Sequence, residues 1–169
     1  MHVISGKERT RPATEIRIRQ FQAGDAPSFR RLNEEWITRF FRVEPNEELI
    51  LADPKGTILD HDGRIFFAVV GDRCVGCCAL ISLGEKEFEL AKMAVETSHQ
   101  GAGVGRRLLQ AAIEEARSAG ARRVYLETNH ILTPAIHLYE SQGFKHIDPS
   151  RIVPSQYQRA DVYMELLIP

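Results

Sequence analysis

The segment from Met93 to Arg107 constrains this chain more than any other. Met93-Ala94-Val95 closes a stretch that reads as a strand, and Gln100-Gly101-Ala102-Gly103-Val104-Gly105 follows with three glycines at alternate positions. Beyond them Leu108, Leu109, Ala112, Ile113 and Ala116 form an apolar stripe opposite Glu114, Glu115 and Arg117, the spacing of an amphipathic helix. A strand that turns through glycine into a packed helix demands a layered α/β arrangement. It also leaves the first amides of that helix pointing outward with partial positive charge, and no Cβ holds a ligand away from the glycines. The turn is therefore a ready-made phosphate cradle. Arg106 and Arg107 open the helix, although cations there oppose its dipole. A bound polyanion would remove the conflict; two solvated arginines would cost roughly a few tenths of a kcal/mol.

Two common phosphate binders do not fit. A Walker A loop continues Gly-Lys-Ser/Thr, whereas Gly105 is followed by Arg106, with no hydroxyl for magnesium. A dinucleotide fingerprint wants glycine where Arg106 stands and occupies the first strand–helix unit of a parallel sheet.

The surroundings argue for a mixed sheet. Ile16 and Ile18 alternate with Arg17 and Arg19 as in a half-buried strand. Asp25 is placed to cap a helix running to about Phe41, with Phe29, Leu32, Trp36, Ile37 and Phe40 on its inner stripe. A shorter helix is expected over residues 46–51. Strands over 64–70, 74–83 and 87–95 are joined by short glycine-containing reversals and form a meander. The long helix covers 103–119, and strand 123–128 leads to a helix over 134–142, with Thr133 as N-cap and Gly143 as its stop. Strands near 144–147 and 162–167 close the chain. Cys74, Cys77 and Cys78 fall in the second meander strand; alternation would put Cys74 and Cys78 on one face, about 13 Å apart, and Cys77 on the other. They are read as small buried apolar side chains, in keeping with a reducing compartment.

Composition narrows function. A length of 169 residues suits one domain, read as residues 14–169 behind a flexible tail over 1–13. Lys plus Arg number 22 against 23 Asp plus Glu, so no polybasic field serves nucleic acid or a membrane surface. No apolar run approaches the roughly 20 residues of a membrane span, and the N-terminal stretch has no signal-like apolar core, so a cytoplasmic location is expected. His99, His130 and His137 lack metal-ligand spacing, and no metal is expected.

Two motifs carry a resemblance. Gln100-Gly101-Ala102-Gly103-Val104-Gly105 is similar to the Gln/Arg-x-x-Gly-x-Gly/Ala signature of the GNAT superfamily of acetyl-coenzyme A-dependent N-acetyltransferases. Ala135-Ile136-His137-Leu138-Tyr139-Glu140-Ser141-Gln142-Gly143-Phe144 resembles its second signature, a helix carrying Leu-Tyr and ending in Gly-Phe. The similarity in element order covers residues 15–168. It implies an α/β (α+β type) GNAT fold: a mixed, mostly antiparallel sheet of six to seven strands, splayed between the fourth and fifth, flanked by about four helices. It further implies acetyl-CoA in the splayed gap, with the pantetheine arm along Met93, Ala94 and Val95 and the pyrophosphate on the amides of Gln100, Gly101, Ala102, Gly103, Val104, Gly105 and Arg106. Asn129 matches a position that contacts the cofactor in similar enzymes.

Acetyl transfer to an amine needs that amine neutral. For an ammonium of pKa about 10.4 this costs roughly 4.6 kcal/mol at pH 7, so a base or a desolvating pocket is required. Glu89 matches the position where superfamily members place a catalytic Glu, and counting by twos puts Glu89, Ala91, Met93 and Val95 on one face. Tyr139 matches the superfamily's acid for the departing thiolate. A backbone amide of the strand, freed by a local bulge, is the expected oxyanion contact. The function implied is acetylation of a primary amine on a small molecule such as an amino acid or a polyamine-like compound. In similar folds the connection over 148–161 borders the acceptor cleft, and Arg151 or Arg159 in it could clamp a carboxylate. Acetylation of a protein N-terminus or lysine, and a non-catalytic acyl-CoA sensor, stand as alternatives; a homodimer is left open.

Overall fold

The computed structural model describes residues 15–169, so the tail expected over 1–13 lies outside the described residues. In chain order the elements are β1 (Ile16–Gln20), α1 (Ala26–Phe40), α2 (Pro45–Ala52), a four-residue α3 (Pro54–Thr57), β2 (Arg64–Val70), β3 (Arg73–Gly84) and β4 (Glu87–Val95). They continue with α4 (Val104–Ser118), β5 (Arg123–Thr128), α5 (Thr133–Ser141), β6 (Lys145–His146) and β7 (Val162–Leu167). The seven strands form one sheet in the order β1-β2-β3-β4-β5-β7-β6, antiparallel everywhere except the parallel β4–β5 step. This is the mixed, mostly antiparallel sheet the sequence implied, with one short helix more than expected. No helix among the described residues is long and apolar enough to cross a membrane.

Strand β2 shows why the sheet needs a helical layer on each face. Ile65, Phe67 and Val69 point into a core shared with Phe29 and Leu32 of α1, while Phe66 and Ala68 point into a second core under α4 and α5. Helix α4 lies close on β3 because residue 76 is glycine: a Cβ there would stand 3.0 Å from Val104 Cγ1 and 3.1 Å from Leu108 Cδ1. The helix that bears the glycine turn is thus locked to the middle of the sheet.

Bulges overturn two alternation arguments. In β3 the register with β2 slips between Ala68 and Val69, so that Gly76 and Cys74 oppose neighbouring residues and Val75 is extra. Cys74 and Cys77 consequently share the α1 face and Cys78 faces α4, not the arrangement that strict alternation gives. All three are buried and free, as small apolar side chains are. In β4 the register slips between Ala91 and Ala94, with Lys92 left-handed at φ 54°. Glu89 and Ala91 therefore lie opposite Ile81 and Ala79, whereas Met93 and Val95 pack toward the α4 core, and the four residues do not share a face.

Two caps also differ from expectation. The Asp25 carboxylate turns back to accept from the Gln22 amide at 2.7 Å and Arg19 Nη1 at 2.6 Å instead of capping α1. Helix α5 begins at Thr133 itself, with Leu132 at the cap, because residues 129–132 already form a hydrogen-bonded turn from Leu132 N to Asn129 O. Gly143, at φ 97°, follows the end of that helix as expected.

Candidate active site

The site is made by strands that stop pairing. β4 and β5 share only three rungs, Glu87 with Arg123, Phe88 with Val124 and Glu89 with Tyr125. Beyond Glu89 the two diverge, and the remaining backbone of β4 lines a cleft of about 660 Å³ that reaches from the glycine turn to α1, α2 and the 157–160 segment. Buried backbone donors and acceptors without a partner strand call for a ligand or water.

At the wide end of the split, Gly101 and Gly103 both hold φ 80° with open space where a Cβ would be. The first α-helical bond to the turn runs from Arg107 N to Gly103 O at 3.1 Å. Among the described residues, the amides of Val104, Gly105 and Arg106 meet no backbone carbonyl, so they are free to receive an anion. The strand end feeding this turn is held by Glu96, 5% exposed, which accepts from Arg31 Nη1 at 2.6 Å and from Arg73, while its own amide binds Val75 O at 2.8 Å. The two arginines at the start of α4 part company: Arg106 lines the cleft, whereas Arg107 donates to the Ile16 carbonyl on β1. Gln100 Nε2 donates to Val95 O at 3.2 Å, so one strand carbonyl is already covered. Met93, Ala94, Val95 and the turn residues line the cleft, with Ala102 directed elsewhere. Asn129 lines it too, but its side chain is engaged locally, donating to Arg159 O at 2.6 Å and accepting from Ile131 N at 3.0 Å.

Glu89 stands on the last rung before the split. Burial, reinforced by the negative Glu127 and only partly offset by Lys92, pushes its carboxyl up to about 7. Tyr139 reaches the same cleft from α5, 8% exposed, its ring 6.0 Å from that of Phe144. Burial and the neighbouring Cys78 thiol raise its hydroxyl above the ordinary tyrosine range, so it holds its proton at neutral pH. The structure thus gathers Glu89, Tyr139 and the glycine turn around one cavity.

At the other end lies a buried ionic cluster. Glu47 of α2 has a fully buried side chain that accepts from Arg159 Nη1 at 2.7 Å, from Arg159 Nη2 and from Lys92 Nζ at 3.1 Å. The Lys92 ammonium also lies 4.8 Å from the Tyr157 ring centre and the Arg159 guanidinium 5.0 Å from it. Burial pulls Lys92 below the ordinary lysine range while Glu47 pulls it back up. The cluster ties α2 and the 157–159 segment to the β4 bulge, and Cys77 Sγ donates to the bulge carbonyl of Lys92 at 3.4 Å. A lysine within an apolar strand is a visible signal, but no sequence pattern singles out Glu47. Glu127 also lines the cleft; it is legible only by alternation, two positions after Tyr125 and between the buried Leu126 and the half-buried Thr128.

Comparison with known proteins agrees with this geometry. The chain is 41% identical over 81 residues to YsnE, an uncharacterised N-acetyltransferase of Bacillus subtilis, a match that covers 47% of this chain and 54% of the relative, so the chain spans about half of that relative's length. A GNAT-family acetyltransferase of Staphylococcus aureus Mu50 superposes with a TM-score of 0.81 at 17% identity, over 89% of this chain and 98% of that one. YncA of Salmonella typhimurium, solved with its cofactor acetyl-CoA, superposes with a TM-score of 0.71 at 20% identity, over 91% and 94% of the two chains. At such identities the likeness is one of fold. The family model described as the acetyltransferase (GNAT) family matches residues 26–144, most of the described chain and both of its motifs, and the chain belongs to that family.

Proposed function

We propose that this protein transfers an acetyl group from acetyl-CoA to a primary amine of a small molecule. The observation that carries the reading is the split of β4 from β5 directly after Glu89, with free helix amides at the wide end and an ionisable pair, Glu89 and Tyr139, in the same cleft. The residues fit the carrier. Gly101 and Gly103 leave open space over amides suited to a diphosphate, and the unpaired edge of β4 offers backbone groups to an amide-bearing arm.

Bound acetyl-CoA supplies the acyl thioester and departs as the thiol. Glu89, whose proton is lost near pH 7, accepts a proton from the incoming ammonium at working pH. Tyr139, protonated there, gives its proton to the leaving sulfur. The carbon–nitrogen bond forms as the carbon–sulfur bond breaks. Of the two nitrogen protons lost, one leaves through Glu89 to solvent and the other restores Tyr139, whose own proton now sits on the thiol. The β4 bulge at Lys92 and Met93 offers an amide outside the strand ladder for the carbonyl oxygen. Arg159 and Arg151 do not support the carboxylate clamp considered from sequence, because Arg159 is taken by Glu47 and Glu44 and Arg151 by Glu165.

Titration calorimetry with acetyl-CoA, followed by thiol release with a panel of amines, tests the reading. Saturable binding with transfer to an amine supports it. Absence of saturable heat overturns it, and tight binding without transfer to any amine favours the sensor.

A further inference from the structure

The charges around the acceptor end are unevenly answered. The two cations lining it have internal carboxylates: Lys92 and Arg159 share Glu47, and Arg159 also reaches Glu44 at 3.3 Å; Arg151, outside the lining, gives two nitrogens to Glu165 at 2.8 and 3.1 Å. Two carboxylates of the same cleft lack such a partner. Among the described residues neither Glu89 nor Glu127 is ion-paired with lysine or arginine, and both line the cavity. They belong to opposite arms of the split sheet. Glu89 pairs across to Tyr125, and Glu127 lies two residues farther along β5 on the Tyr125 face, where residue pairs of a sheet point the same way.

Glu127 is also held in place. Tyr125 Oη donates to its Oε1 at 2.8 Å, and Ser155 Oγ, from the connection before β7, donates to its Oε2. Aromatic rings of Trp36 and Phe41, 6.2 Å apart, line the same cavity, and they favour a cation over an anion. A molecule entering at this end meets two carboxylates and the Trp36 ring; the Phe41 ring is already faced by Arg159 at 5.7 Å, and Lys92 and Arg159, the cations lining this end, are answered by Glu47 and Glu44, while Arg106 lies at the glycine-turn end. A carboxylate on the acceptor would be opposed, whereas a second ammonium would be matched.

We propose that Glu127 is an acceptor-binding residue which holds a second ammonium while Glu89 faces the reacting amine, so that the acceptor class is the short alkyl diamines. This rests on the acetyltransferase reading above. The second ammonium is a handle and is not consumed.

The test compares diaminobutane, butylamine and γ-aminobutyrate as acceptors by thiol release, for the wild type, Glu127→Gln and Ser155→Ala, each confirmed folded by its thermal melt. In the wild type, kcat/KM for diaminobutane is expected to exceed that for butylamine about tenfold or more, the size of one charge-assisted hydrogen bond, with γ-aminobutyrate poorest. Glu127→Gln should lower the diaminobutane-to-butylamine ratio about tenfold, and Ser155→Ala, which frees the carboxylate to rotate, about threefold. A ratio unmoved by Glu127→Gln, or γ-aminobutyrate outperforming diaminobutane, overturns the inference while butylamine acetylation leaves the acetyltransferase reading standing. Should Glu127→Gln not fold, an unmoved ratio in Ser155→Ala overturns it. If none of the three amines is acetylated by protein that binds acetyl-CoA, the diamine inference falls, and transfer to any other amine of the wider panel leaves the acetyltransferase reading standing.

Discussion

Replacing Glu89 by Gln should make the protein more stable and nearly inactive, and the two effects should follow one titration. Burial and Glu127 raise the Glu89 carboxyl from an ordinary value of 4.5 to about 7, so the native state keeps a proton that the unfolded chain has lost. A folded-state carboxyl pKa above its unfolded value costs stability as pH rises: the penalty begins above about pH 4.5 and is complete above about pH 7. At roughly 1.36 kcal/mol per unit this difference gives about 3 kcal/mol in full, most of which accrues between about pH 5 and about pH 8. Glutamine, uncharged throughout, escapes it. Urea unfolding of wild type and Glu89→Gln without acetyl-CoA should therefore show the variant gaining about 2–3 kcal/mol on the wild type between those pH values, about 1 M in midpoint. In the same window kcat/KM of the wild type should rise with an apparent pKa near 7, and the variant should lose roughly a hundredfold or more. A stability gap that is equal at both pH values refutes the buried, charge-opposed Glu89 described above.

Tyr139→Phe should lower kcat by about tenfold or more with little change in acetyl-CoA affinity; an unchanged rate and pH profile would remove Tyr139 from the mechanism. Gly103→Glu places a carboxylate at the amide cradle on a residue that needs φ 80°, so acetyl-CoA binding by calorimetry should be lost while the circular dichroism spectrum is kept; normal binding would show that the cradle lies elsewhere. Glu47→Ala strands Lys92 and Arg159 without their buried partner and should cost about 3–5 kcal/mol in urea unfolding, and a loss below about 1 kcal/mol would mean that water or Glu44 takes over.

Much of the framework was legible because it is local. The alternation of Ile16 with Arg17, the apolar stripe of 108–116 and the glycine spacing at 101–105 are enforced by hydrogen bonding and sterics within a few residues, and strands β2, β4, β5 and β7 likewise span the residues expected of them, 64–70, 87–95, 123–128 and 162–167. Strict period-two counting failed at Val75 and at Lys92, where one extra residue in the strand reverses every face beyond it. The cap at Asp25 failed because its carboxylate turns back to the Gln22 amide and to Arg19 of the preceding strand, which compete with the first amides of α1.

The glycine turn of 101–105 and the helix that carries Tyr139 belong to what the amino-acid sequence determined, since each lies in a short motif whose neighbours set its conformation. What closed the acceptor end was decided only by tertiary structure. Glu47, Lys92 and Arg159 lie 45 and 67 residues apart in successive steps of sequence, and whether a cation is free or neutralised depends on which carboxylate folding brings within about 3 Å. That pairing consumes Arg159, which would have suited a carboxylate, and among the described residues leaves Glu89 and Glu127 without a lysine or arginine partner, a balance of charge that exists only once the split sheet, α2 and the 157–159 segment meet.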